Sequence, residues 1–188
     1  MITFTITFHG PFHVSTGVAA DGIDTPIDLG CPLPATSLKG LMRAEAVERL
    51  GISQKLVDEI FGRSTSGPAA ETQRSAPGAW QWSDASFDQV IPAPYARIAV
   101  DNRGLTRQGF LAFGTQAWAT DGQFTVEPRV RLDDAALTRH TVILRACARS
   151  VSSLGGDRRR GSGWVSISDA PWTSEDTSAL RQLQENRP

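Results

Sequence analysis

Residues 2–8 alternate strictly between large apolar side chains and threonine. Ile2, Phe4, Ile6 and Phe8 stand at every second position, with threonines between them. Because successive side chains of a β-strand point to opposite faces, this pattern predicts a half-buried strand. It is the clearest strand pattern in the chain, so other elements have to cover its apolar face.

The order of the other predicted elements defines a fold class. Periodic apolar residues predict helices and strands, and turn residues separate them. The elements are a helix from 36 or 37 to 51, a short helix over 53–61, a short strand over 80–83, a strand over 124–132, a long helix from 133 or 134 to 154, and a last strand over 164–168. Strand, helix, strand, strand, helix, strand is a ferredoxin-like α+β arrangement, a βαββαβ core.

A chain of 188 residues is long enough for one domain with insertions. We expect that domain over 1–170. Within it, 63–79 has few apolar anchors and is expected to be a flexible insertion, and 90–132 is an extended, arginine-bearing excursion with turn residues at 101–104. The polar remainder, 171–188, is expected to be a tail with a short surface helix.

The composition is that of a soluble globular protein, with 40% hydrophobic and 21% charged residues. No run approaches the ~20 apolar residues of a membrane helix, and the N-terminus lacks a signal-peptide pattern. Cys31 and Cys147 match neither a metal spacing nor a disulfide framework. We therefore expect a cytoplasmic protein with both thiols reduced, and no membrane partner.

The net charge of −1 hides a basic middle. Residues 97–160 hold 11 arginines and 6 acidic residues, whereas 1–96 hold 6 basic and 10 acidic ones. A basic region rich in arginine suits a nucleic-acid face on an otherwise balanced body.

A glycine-rich loop lies in this region, over 154–164. Its glycines surround three consecutive arginines, Arg158, Arg159 and Arg160. Glycine lets the backbone approach a ligand closely, and arginine donors match phosphate geometry. Two interpretations stay open here: a loop laid along a phosphate backbone, or a basic, solvated turn with a glycine helix stop at Gly155.

A second basic motif lies at the start of the first helix. Lys39 and Arg43 are spaced i and i+4, so they share a helix face near the N-terminus. The helix dipole and free backbone amides favour an anion there. This pair predicts a phosphate clamp, and the alternative is a solvated basic pair.

No Ser-His-Asp order, phosphate-binding Walker loop or zinc spacing is present. The three histidines are scattered, and His140, within the long helix, is expected to be structural. A long loop over 15–33 carries Asp21, Asp24 and Asp28. From the residues alone, Asp24 is a turn-forming aspartate.

The two basic motifs together are similar to the RAMP superfamily, the RNA-binding subunits of type III CRISPR effector complexes. Its members carry Pro-x-Ser-Ser-Leu-Lys-Gly-x-x-Arg at a helix start, matched here from Pro34 to Arg43 with Thr36 at the first serine. They also carry a Gly-rich loop late in the chain, matched from Gly155 to Gly163. The resemblance covers roughly the whole chain.

The resemblance implies a guide-RNA-binding backbone subunit. Its partners would be guide RNA, target RNA, other effector subunits and several copies of itself in a filament. The RNA-binding residues implied by the motifs are His13, Ser37, Lys39, Arg43, Gly155, Gly156, Arg158, Arg159, Arg160 and Gly161.

The resemblance also implies a protruding hairpin, the thumb, and a cleavage site. The thumb is expected over about 97–128, with Phe110 and Leu111 as residues that wedge between base pairs. Phe113 is either a further wedge residue or a core residue. The stretch before the helix motif resembles that of the third subunit of Csm complexes. By that resemblance Asp24 is catalytic, and Mg²⁺ or Mn²⁺ is its cofactor in cutting paired target RNA at regular intervals.

Two alternatives remain open. A non-catalytic paralogue, a cap or scaffold subunit of the same kind of complex, would keep the RNA-binding motifs without cleavage. A ferredoxin-like structural domain would have no RNA partner.

Overall fold

The computed structural model describes residues 1–19, 22–63 and 75–185. Asp21 and most of the insertion predicted over 63–79 lie outside these ranges. The strands are β1 (Ile2–Phe8), β2 (Gly62–Arg63), β3 (Ala76–Pro77), β4 (Trp80–Trp82), β5 (Ile91–Val100), β6 (Thr106–Trp118), β7 (Asp121–Pro128) and β8 (Val165–Ser168). The α-helices are α1 (Ala35–Ala44), α2 (Gln54–Phe61), α3 (Asp134–Ser150) and α4 (Ser174–Glu185).

The first strand lies inside the central sheet, between β7 and β8. The sheet order is β4-β7-β1-β8, and all its pairings are antiparallel. Ile6 pairs with Gly122 of β7 on one side and with Ile167 of β8 on the other. With α1 and α3 as the two helices, this is the predicted ferredoxin-like βαββαβ fold.

The apolar face of β1 forms the centre of the core, as its alternation predicts. Phe4 and Ile6 are fully buried, in one cluster with Leu38 of α1 and Ile143 of α3. The rings of Phe4 and Phe124 stack with centroids 5.1 Å apart. The helices therefore cover one sheet face, while the threonines of β1 point to the other.

His140 of α3 belongs to this core. Its side chain is buried, and the indole N–H of Trp80 donates a hydrogen bond to its Nδ1 at 3.1 Å. Burial lowers the pKa of His140, which favours the neutral ring. The histidine is structural, as predicted.

The first helix begins at Ala35, earlier than the predicted start at Thr36 or Ser37. Pro34 is extended, and the carboxylate of Asp84 accepts a hydrogen bond from the Ala35 N–H at 2.7 Å. An acid distant in sequence thus satisfies a backbone N–H at the start of this helix, a role that the local sequence does not reveal. After α1, Glu45–Arg49 continue as a π-helical turn.

The long helix begins as predicted but ends at Ser150 instead of 154. Its start is capped by Asp133, whose carboxylate accepts from the Ala136 N–H at 2.6 Å. Beyond it, Ser153 pairs with Trp164, and the Leu154 N–H donates to the Gly163 carbonyl at 2.8 Å. This pairing across the Gly-rich loop replaces the last helical turn.

The protruding hairpin consists of β5 and β6 and spans 91–118, not 97–128. Its turn lies at the predicted 101–104 position, where the Asp101 N–H donates to the Leu105 carbonyl at 2.8 Å. The strand that follows it, β7, belongs to the central sheet because it pairs with β1 over 121–126. The predicted boundary placed that core strand in the hairpin.

The predicted polar tail contains the expected surface helix, α4. Arg145 of α3 anchors this segment through Asp169 and Asp176, each at 2.6 Å. Arg149 adds a contact to Asp169 at 2.9 Å, and both guanidinium groups lie over the ring of Trp172. Across the described ranges, no helix has the length and apolar character needed to span a bilayer.

Candidate nucleic-acid interface

The Gly-rich loop folds back onto the segment that follows β1. The Gly156 N–H donates to the His13 carbonyl at 2.7 Å, and the Gly163 N–H donates to the Pro11 carbonyl at 2.7 Å. At Gly155 the backbone has a φ of +76°, and a Cβ atom there would lie 2.2 Å from the His13 carbonyl oxygen. Glycine is therefore required at 155 for conformation and for space.

The three consecutive arginines, Arg158–Arg160, form one 3₁₀ turn at the tip of this loop. All three are exposed, and none forms an ion pair with a carboxylate in the described part of the chain. Three unneutralised guanidinium groups on a turn held by backbone contacts present a concentrated positive charge.

The acid beside this turn, Asp157, is paired with Arg97 of β5. Arg97 also donates to the Tyr95 hydroxyl at 2.7 Å, and that hydroxyl lies 3.1 Å from the Thr25 hydroxyl. This chain of contacts connects the Gly-rich loop, the hairpin and the long loop over 15–33. Tyr95, Arg97 and Asp157 were not predicted as site residues, although Arg97 lies in the basic region over 97–160.

His13 is buried where these three segments meet. Its Nδ1 lies 2.7 Å from the Thr115 carbonyl, which can only accept, so Nδ1 carries a proton. In the neutral ring Nε2 is then an acceptor. The ring is edge-on to Tyr95, and a Cβ at Gly156 would lie 3.2 Å from its Cδ2. His13 therefore fixes the loop against β6.

A cavity of about 220 Å³ opens between the hairpin and the Gly-rich loop. Its walls combine donors and acceptors from β5, β6 and the loop, and Arg160 is the residue of the arginine turn that lines it. The lining residues are His13, Tyr95, Arg97, Gln116, Asp157, Arg160 and Ser162.

A second cleft separates the Gly-rich loop from the start of α1. Thr36, Ser37 and Gly40 line the helix side, and Gly155, Gly156 and Arg158 line the loop side. The structure therefore brings together predicted residues from both sequence motifs. A helix N-terminus facing an arginine turn is suited to an anionic chain running between them.

Lys39 and Arg43 do not face this cleft. Lys39 lies over Trp82, with its ammonium nitrogen 5.4 Å from the ring centroid. Arg43 donates to the Gly62 carbonyl at 2.7 Å and pairs with Asp58 at 3.5 Å, so it connects α1 to the end of α2. Lys39 and Arg43, the predicted phosphate clamp, therefore contact different parts of the protein and do not point to one common site.

Asp24 lies at the root of the hairpin and is exposed. Its backbone N–H donates to the Phe113 carbonyl at 2.9 Å, and its Oδ2 accepts from the Phe113 N–H at 2.8 Å. Its other carboxylate oxygen, Oδ1, has no hydrogen-bond partner in the described ranges. Thr25 continues this contact as a parallel bridge to Gly114.

The described residues do not fit a metal ion held by the protein alone. They contain no group of three or more histidine, cysteine, aspartate or glutamate side chains that would hold one. Asp28, in the same loop, directs its Oδ1 to the Gly30 N–H at 2.8 Å. Asp24 Oδ1 is one oxygen ligand, so a divalent ion there would take its other ligands from water or phosphate.

The predicted wedge residues lie on opposite faces of the hairpin. Phe110 and Leu111 are successive residues of β6, so their side chains point to opposite sides. Arg107 stacks on Phe110 at 4.2 Å, whereas Leu111 pairs with Ile98. Ile98, Leu111 and Phe113 are about half exposed and form an apolar strip on one face.

The fold has counterparts of known structure. One chain of a type III-B Cmr-beta complex in the apo state, determined by cryo-EM, is 12% identical with a TM-score of 0.63, over 90% of this chain and 96% of that chain. A chain of a type III-B Cmr-beta complex bound to cognate target RNA is 12% identical with a TM-score of 0.66, over 97% of this chain and 98% of that chain.

No protein-family model matches this sequence, and no curated protein sequence matches it. At this identity the structural similarity is one of fold. Both structures come from Cmr-type complexes, so the resemblance to the third Csm subunit stays an expectation from the sequence.

Proposed function

We propose that this chain is an RNA-binding backbone subunit of a type III CRISPR effector complex, with guide RNA as its ligand. The observation that carries the proposal is the Arg158–Arg160 turn, exposed and unpaired in the described structure, opposite the N-terminus of α1. The sequence motifs and the similarity to chains of Cmr-beta complexes support the same function.

Guide binding on this surface acts mainly through phosphates. Arginines on the loop and backbone amides at the helix start offer donors that match phosphate oxygens. Such contacts position a strand without reading its sequence, which suits a guide whose bases pair with a target. Other effector subunits, target RNA and further copies of this chain are the partners of this proposal.

The hairpin has a role in the same proposal. Its half-exposed apolar strip, with Leu111 and Phe113, can pack against the faces of bases at a junction in the RNA. Phe110 faces the other side of the hairpin, so Phe110 and Leu111 do not insert together between the same two bases.

A second proposed activity is cleavage of paired target RNA at Asp24. The supporting observation is its exposed carboxylate, which is fixed through Oδ2 at the hairpin root and leaves Oδ1 available. Fixation favours a defined orientation towards a phosphodiester or a 2′-hydroxyl. The alternative within this function is a non-catalytic cap or scaffold subunit, in which the same contact only anchors the hairpin.

Replacing Arg158, Arg159 and Arg160 together with alanine tests guide binding. For single-stranded RNA we expect the slope of log K against log salt to become shallower by about 2, since each lost phosphate contact removes ~0.7. Fluorescence anisotropy with several unrelated RNA sequences measures it, and the loss should be equal for all of them.

The matched control removes three exposed arginines elsewhere, Arg131, Arg139 and Arg181. It should leave the slope nearly unchanged. Equal losses for both triple variants would mean that general charge, and not this loop, attracts RNA. Failure of the wild-type chain to bind RNA would support the ferredoxin-like structural domain instead.

A further inference from the structure

A second group of cations lies on the other side of the first turn of α1. Lys39 and Arg129 line a cavity of about 270 Å³ between α1, β4 and the end of β7. Thr36, Gln81 and Trp82 complete most of its wall, and no carboxylate side chain from the described ranges lines it. The cavity is therefore positive and open to a negatively charged group.

The two cations have no ion-pair partner among the residues that the structure describes. Arg43, which is close enough to repel Lys39, directs its own charge to Asp58. Burial, followed by repulsion from Arg129 and Arg43, lowers the pKa of Lys39. The two nearest carboxylates are used elsewhere, because Glu127 accepts from the Gln81 side chain at 2.6 Å and Asp84 accepts from the Ala35 N–H at 2.7 Å. Clustered positive charge without an ion-pair partner suits a site for an external anion.

Lys39 is held in place before any ligand arrives. Its ammonium lies over Trp82, whose indole N–H contacts the Met42 sulfur at 3.2 Å. The Trp82 ring also stacks on Phe61, with centroids 5.3 Å apart. Arg129 is fixed at its backbone, where its N–H donates to the Ala79 carbonyl at 2.7 Å.

Thr36 connects this cavity to the surface around the Gly-rich loop. Thr36 lines the cavity of Lys39 and Arg129, and it also lines the cleft beside Gly155 and Arg158. One extended strand with repeated negative charges can therefore pass from the loop across the α1 N-terminus to the second cavity. A single carboxylate of a protein partner would not require this continuity.

We propose that Lys39 and Arg129 form a second phosphate-binding site on the same RNA track, beyond the Gly-rich loop. This rests on the proposed RNA-binding function and extends it to Arg129, which neither sequence motif contains. It also pairs Lys39 with a cation distant in sequence, in place of its helix neighbour Arg43.

The test compares wild type with Lys39→Gln/Arg129→Gln on a series of single-stranded RNAs of decreasing length. On long RNA the variant should show a salt slope shallower by about 1.4, because two phosphate contacts are lost. On RNA too short to extend beyond the Gly-rich loop, both proteins should bind equally. Glutamine removes each charge but keeps two methylene groups and a polar end, so the disturbance around Trp82 is small.

Arg131→Gln is the matched control, an exposed arginine two residues from Arg129. The inference is overturned if Arg131→Gln weakens binding as much, or if the double variant loses affinity equally at every length. It is also overturned if RNA affinity is unchanged while association with other effector subunits is lost, since the anion would then be a protein carboxylate. If the Arg158–Arg160 triple variant still loses RNA binding in these cases, the proposed function stands without this site.

Discussion

Gly155 and Gly161 both adopt a left-handed backbone, but their surroundings differ. A side chain at Gly155 would meet the His13 carbonyl at 2.2 Å, whereas no atom lies within 4 Å of a Cβ at Gly161. Gly155→Ala should therefore destabilise the protein by more than the ~1–2 kcal/mol of a left-handed alanine, and Gly161→Ala by about that amount. Urea unfolding of the two variants measures the difference.

Equal destabilisation would contradict the close contact between the loop and His13. The difference should also appear in RNA affinity. Displacing the loop from His13 moves the Arg158–Arg160 turn, while alanine at 161 leaves the loop seated.

At the residue scale, sequence patterns found the loop and the helix start but not their partners. Gly155, Gly156 and Ser37 meet across one cleft, because β1 and α3 bring distant segments together. The i, i+4 spacing of Lys39 and Arg43 predicted that both lie on one face of α1. It could not show that Asp58 engages one while the other faces Trp82, since both contacts come from other elements.

At the element scale, local patterns predicted strands and helix starts better than their ends. Alternation identified β1, and Asp133 identified the start of α3. The hairpin boundary was wrong because β6 and β7 are both extended segments of this region, and only pairing with β1 assigns β7 to the core. The α3 end was wrong because its apolar stripe continues to Leu154, which is buried without being helical.

The docking of α4 should depend on pH through Asp176. Hydrogen bonds from the Thr173 backbone, together with Arg145, hold the pKa of Asp176 below its ordinary value. A carboxyl group with a depressed folded-state pKa adds stability above its unfolded value, and this is lost as pH falls through the folded-state value. We expect the thermal midpoint to fall in that acidic window.

Asp176→Asn is the comparison for this pH effect. It should have a lower midpoint at neutral pH and a weaker pH dependence, with hydrogen exchange fastest in α4. An Asp176→Asn protein with the same acid-induced loss as wild type would mean that other carboxylates, such as Asp169, dominate the transition.

At the scale of the whole molecule, the fold separates a buried hydrophobic core from a basic surface. The helices cover one face of the central sheet, and the Gly-rich loop, the α1 start and the hairpin root meet at one side through His13, Tyr95 and Arg97. Charge is placed accordingly, because Arg145 and Arg149 are used within the protein while Arg158–Arg160 are not. A chain of net charge −1 can therefore still present a concentrated positive surface.

Asp24 has two proposed roles, cleavage of target RNA and anchoring of the hairpin root. Two substitutions at Asp24 separate these roles. Asp24→Asn keeps an oxygen for the Phe113 N–H and removes the charge, whereas Asp24→Ala removes both. If the carboxylate acts in cleavage, both variants in the assembled complex should cut target RNA at least ~100-fold more slowly, with Mg²⁺ or Mn²⁺ present. Target affinity should be nearly unchanged for Asp24→Asn.

Asp28→Ala is the control for charge in the same loop, since its carboxylate accepts from the Gly30 N–H and lies away from the hairpin contact. Asp21→Ala is a second control from the sequence. Cleavage that is lost in either control but survives in both Asp24 variants would place the active carboxylate elsewhere in the loop. Normal cleavage by all four variants would mean that the role of Asp24 is to anchor the hairpin root through its hydrogen bonds with the Phe113 backbone. This chain would then be a scaffold, and another subunit of the complex would cut the target RNA.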